Sequence, residues 1–121
     1  MQISITPLNF GYSNQLKTLY KKGKLPSVKI GIYGDKLTPK NVSLEHLKCV
    51  CDGGKTELKN LVLATKENNN IRGNKPLENF LTIENLIQYL NQFKDIKVMG
   101  FNGNNYIALI LKTIGELIND R

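Results

Sequence analysis

The chain has 121 residues, of which 40% are hydrophobic and 22% charged, the balance of a soluble folded domain with one modest core. No apolar run approaches the roughly 20 residues that a membrane-spanning helix needs. The N-terminal "MQISITPLNFGYSN" has no basic segment leading into an apolar one, so no secretory signal is expected and a cytoplasmic location is.

The net charge of +7 is unevenly spread. Residues 1–75 hold 13 Lys/Arg against 5 Asp/Glu, whereas residues 76–121 hold 4 against 5. A basic surface confined to one part of a protein suits a polyanion, because each neutralised phosphate releases counterions. A solvated lysine-rich face accounts for the same charge equally well.

In chain order, "SNQLKTLYKKG" predicts a short helix. Ser13 can cap its start, Leu16, Leu19 and Tyr20 share one face, and Gly23 can close it. Pro26 forces an extended segment, "SVKIGIYGDKL", with weak alternation and a turn at Gly34-Asp35. After the loop "TPKN", "VSLEHLKCV" alternates as a strand and ends in the turn signal "CDGGK". "LVLA" (61–64) is a second, short strand. Thr65 can cap a helix running through Arg72, with Gly73 past its end and Pro76 barring continuation. Thr82 opens another helix, in which Ile83, Leu86, Ile87 and Leu90 make an apolar stripe. A Gly/Asn-rich break leads to "NNYIALILKTIGELI", where Ile107, Ile110, Leu111, Ile114 and Ile118 recur at helical spacing. Leu109 and Leu117 widen that stripe, which suits either packing on the preceding helix or a homodimer face. The expected class is α+β, in one compact domain of three units. These are a helix and basic arm (1–26), a strand–strand–helix core (27–81) and a helical extension (82–121).

Cys49 and Cys51 stand in C-x-C spacing, and only His46 can join them. Two thiols and one imidazole fall short of the four ligands of a structural zinc site, so free thiols and no structural zinc are expected.

His46 is the chain's single histidine. Glu45 precedes it, Asn60 stands just before the second strand, and Asn69 lies one turn inside the following helix. A hairpin and helix that fold back on themselves bring such side chains toward one crevice. A carboxylate and a carboxamide oxygen are hard donors, suited to Mg²⁺ or Mn²⁺. Histidine titrates near neutral pH and can take a proton from water. Arg72 shares nearly the same helix face as Asn69, and Lys48, Lys55 and Lys75 add positive charge. Together these are the parts that phosphodiester hydrolysis requires.

The stretch "EH…GG…NLVLATKENNNIRG" resembles the HNH endonuclease family, the ββα-metal nucleases. Asn60 follows His46 by 14 residues and Asn69 follows Asn60 by 9, spacings common in that family. Tyr33-Gly34 resembles its usual lead-in, and the resemblance covers roughly Ser27 to Leu81. It implies a ββα-metal core and DNA hydrolysis with 5′-phosphate and 3′-hydroxyl products. His46 would be the general base, with Asn60 holding the histidine-bearing loop by hydrogen bonding. Glu45 and Asn69 would bind a divalent ion, Mg or Mn. Lys48, Lys55, Arg72 and Lys75 are the expected contacts to the DNA backbone. Small stand-alone members of this kind act in bacterial or phage-infected cells. Two positions depart from the pattern: Glu45 stands where Asp is more usual, and Cys49 where Pro is frequent. A nucleic-acid-binding module on the same fold that does not cleave is the alternative.

Overall fold

A computed structural model describes residues 12–119, so the first eleven residues of the expected N-terminal unit lie outside the described residues. Within this range the order is α1 (Tyr12–Lys21), β1 (Val42–His46), β2 (Leu61–Thr65), α2 (Lys66–Arg72), α3 (Ile83–Asn91), β3 (Lys97–Val98), β4 (Phe101–Asn102) and α4 (Gly103–Asn119). The class is α+β, with two small antiparallel sheets, β1–β2 and β3–β4. Among the described residues no helix is long and apolar enough to cross a membrane.

The β1–β2 register runs from Val42 opposite Thr65 to His46 opposite Leu61. β1 ends at His46, short of the expected Val50, because Lys48 gives both its backbone N–H and its carbonyl to the Asn60 side chain instead of to a ladder. Thr65 caps α2 as its position predicts, accepting the Asn68 N–H at 3.2 Å. Gly73 closes the helix with a φ of +52° and bonds the Asn69 carbonyl. Thr82 caps α3 in the same way through the Asn85 N–H. Ser13 falls inside α1 rather than before it.

The segment expected as a weak strand before β1 keeps only one bridge, Ile30 to Lys36, around a turn in which Gly34 has a φ of +81°. Its backbone is claimed by a side chain. Gln92 Oε1 accepts the N–H groups of Lys29 and Ile30, and Gln92 Nε2 donates to the Ile30 carbonyl.

All five residues of β2 are buried, so its outer edge must be satisfied without water. The Ile32 N–H donates to the Leu63 carbonyl at 2.9 Å. The Leu63 N–H donates to the Tyr89 hydroxyl, Tyr89 donates to Tyr106, and Tyr106 donates to the Leu61 carbonyl at 2.7 Å. Burial raises both phenols, which therefore stay protonated. Phe93 and Phe101 pack around this pair, with the Phe93 and Tyr106 ring centroids 4.9 Å apart.

Both expected stripes hold in part: Leu86 and Leu90 on α3, and Ile107, Ile110 and Ile114 on α4, pack on the core, and the other positions do not. On α3 the inward side is Tyr89 and Leu90, with Phe93 just beyond the helix, while Ile83 and Ile87 face solvent at 74% and 54% exposure. On α4 Tyr106, Ile110 and Ile114 are buried, and Leu111 and Ile118 are exposed. Tyr89 and Tyr106 set both phases, because their hydroxyls must reach the β2 edge. The β3–β4 hairpin was not expected. Its strands are two residues long, and its turn places Met99 and Gly100 at φ +47° and +83°, a geometry that sequence normally announces with Asn-Gly.

Candidate functional site

Glu45 and His46 are neighbours on β1, so their side chains leave opposite faces of the hairpin. Glu45 is buried. Its Oε2 accepts the Tyr33 hydroxyl at 2.7 Å and lies 3.4 Å from Arg72 Nη1. Burial pushes the Glu45 carboxyl above the ordinary range, against the opposing pull of the Tyr33 hydroxyl and the Arg72 charge. Burial and the Glu45 charge together push the Tyr33 phenol up.

Arg72 is only 3% exposed, and each of its nitrogens is committed. Nη1 donates to the His46 carbonyl at 2.7 Å, Nη2 to the Leu47 carbonyl, and Nε to the Lys75 carbonyl. The expected role of Arg72 as a DNA-backbone contact is therefore corrected. Its guanidinium ties the end of β1 to the segment after α2 and cannot reach a phosphate.

Of the three consecutive asparagines on α2, Asn69 is the one turned onto β1. Its Nδ2 donates to Ser43 Oγ at 3.0 Å and to the Leu44 carbonyl at 2.9 Å. Because the amide nitrogen is spent, Oδ1 is the atom left to serve as an oxygen donor. Glu45, the other expected metal ligand, lacks that freedom, because its carboxylate is held by Tyr33 and Arg72. A hard divalent cation held by Glu45 does not fit this arrangement, since the carboxylate is enclosed and paired with a guanidinium that would repel a second cation, which leaves Asn69 Oδ1 as the donor of the expected pair.

His46 is half-buried, and its Nε2 lies 3.0 Å from Thr56 Oγ1. The imidazole is thus held from the β1–β2 loop, not from the crevice where Glu45 and Asn69 sit. Asn60, itself buried, fastens that loop. Its Oδ1 accepts the Lys48 N–H at 2.8 Å, and its Nδ2 donates to the Lys48 and Lys55 carbonyls, each at 3.0 Å. The two glycines serve this turn: Gly53 adopts a φ of +92°, and a Cβ at Gly54 would run into the Lys48 carbonyl. Asn60→Ala should cost about 1–3 kcal/mol of stability, because three part-buried backbone groups lose their partner. Faster amide exchange confined to residues 48–55 would check this. Lys48 and Lys55 are exposed on the same loop, and Lys75 is exposed with its ammonium 5.8 Å above the Phe80 ring.

A second cluster lies further along the loop. The ligand atoms of Cys49, Cys51 and Asp52 are all within 4.8 Å of one another, and both cysteines are free thiols. The hydrogen bond with Cys49 pushes the Cys51 thiol up to about 11, so Cys51 is not a nucleophile at neutral pH. Tyr33, Thr56, Asp52 and Asn74 escaped the sequence reading, since each gains its partner only through the fold. Only Tyr33 had a signal, its place before Gly34 in the lead-in to β1. Comparison with protein-family models, with curated proteins and with solved structures finds no match for this chain.

Proposed function

We propose that this chain is an endonuclease that hydrolyses DNA phosphodiester bonds, with β1, β2 and α2 as its ββα core and His46 as general base. The observation that carries this reading is the half-exposed His46 imidazole, set at the end of β1 beside a loop that Asn60 fastens. In the tautomer that donates Nε2–H to Thr56, Nδ1 keeps the lone pair that takes a proton from water. The oxygen of that water joins phosphorus, the bond from phosphorus to the 3′ oxygen breaks, and the departing oxygen takes a proton from solvent. Lys48 and Lys55 supply cations for the backbone on the same loop. The HNH resemblance implies Mg or Mn dependence, toward which this chain offers Asn69 Oδ1.

Relaxation of supercoiled plasmid by the purified chain in Mg²⁺ or Mn²⁺, repeated with EDTA, tests the proposal. Nicking that EDTA stops is the expected result. The enclosed Glu45–Arg72 pair favours a second reading, a DNA-binding module that does not cleave. Salt-sensitive DNA retention with no nicking under any of these conditions would replace the first reading with the second.

A further inference from the structure

The turn after β1 gathers a donor set that the nuclease reading leaves unused. Cys49 precedes the 3₁₀ turn Val50–Asp52, and its Sγ accepts the Cys51 N–H at 3.3 Å. The two sulfurs lie 2.6 Å apart. Asn74, which is 25 residues from Cys49, presents Oδ1 to the Cys49 sulfur at 3.0 Å. Cys49, Asp52 and Asn74 are among the residues lining a cavity of about 290 Å³. The turn is built rather than loose: the Cys49 carbonyl accepts the N–H groups of Asp52 and Gly54, and Asn60 fastens both ends of the segment.

We propose that Cys49, Cys51, Asp52 and Asn74 bind one thiophilic divalent cation of the zinc class, joining the β1–β2 loop to the segment after α2. Two sulfur donors select a borderline or soft ion over Mg²⁺ or Ca²⁺, and a carboxylate and an amide oxygen bring the donor count to four. With metal–sulfur bonds of about 2.3 Å, a tetrahedral site holds its sulfurs roughly 3.7 Å apart. The sulfurs must therefore part by about 1 Å from their present contact, which the exposed Cys51 side chain permits. Binding releases both thiol protons to solvent. The site differs in ligands and in metal class from the Mg or Mn chemistry of the proposed nuclease, and it stands without that reading.

The test is a Co²⁺ titration of the full chain, metal-free and kept reduced. The expected result is a thiolate-to-cobalt charge-transfer band with visible bands of tetrahedral intensity, saturating at one ion per chain and bleached by Zn²⁺. Cys51→Ser should remove most of the charge-transfer intensity. Asp52→Asn and Asn74→Ala should each weaken binding roughly tenfold while the fold is kept, since Asp52 and Asn74 are exposed. No charge-transfer band in the reduced, folded protein would overturn the proposal. So would unchanged affinity in both Asp52→Asn and Asn74→Ala, which would reduce the site to two thiols, or a mass loss showing a Cys49–Cys51 disulfide in place of bound metal.

Discussion

In the proposed nuclease, His46→Ala should lower plasmid nicking by about 10²–10⁴-fold, the range that a positioned general base contributes. The imidazole is the only side chain of its kind in the sequence, and no neighbour on the loop can replace it as a neutral-pH base. Cys51 holds its proton well above neutrality, and Glu45 lies on the other face of β1, enclosed by Tyr33 and Arg72. Because His46 is half-buried and touches the loop through one hydrogen bond, stability should change by less than about 1 kcal/mol. A variant that is folded, still retains DNA on a filter and does not nick separates a chemical role from a structural one. Nicking at the wild-type rate would remove His46 from the mechanism.

Arg72→Met should be the most destabilising single change in the core unit, by about 3–5 kcal/mol, because it strips the counter-charge from a buried carboxylate. It also leaves the carbonyls of His46, Leu47 and Lys75 without their donor. A fall in Tm on the order of 10 °C or more would report it. Adding Glu45→Gln should recover part of the loss, since an amide in that site carries no unpaired charge. Full additivity of the two changes would mean that they do not interact.

The pair also fixes a pH dependence. The Glu45 carboxyl is raised in the folded chain, so the fold binds this proton more tightly than the unfolded chain does. The linked stabilisation is present below the unfolded value of about 4.3 and is lost as pH rises through the folded value. In Arg72→Met the carboxyl should rise further. Its denaturation midpoint should then decline more steeply than that of the wild type as pH rises above about 4.

Local chemistry determined much of this protein in the sequence itself. Thr65 and Thr82 are side-chain caps, Gly73 and Gly23 take positive φ, and "LVLA" is an unbroken apolar run. Each is a short-range preference that acts within a turn of chain, so α2, the start of α3, and β2 could be read from one sequence. The same holds for His46, Asn60 and Asn69, whose identities and spacing are written in the chain. What each of them touches was decided by tertiary structure. Tyr89 and Tyr106 rotate α3 and α4 to reach the β2 edge, which turns Ile83 and Leu111 outward. Gln92 takes the backbone that would have made a strand near Ile30. Arg72, which by composition alone is one more surface cation, is drawn inside because β1 ends in carbonyls that lack partners and Glu45 lies beside them. A residue's type sets which bonds it can make, and only the folded backbone sets which partner comes within 3 Å and is shut away from water.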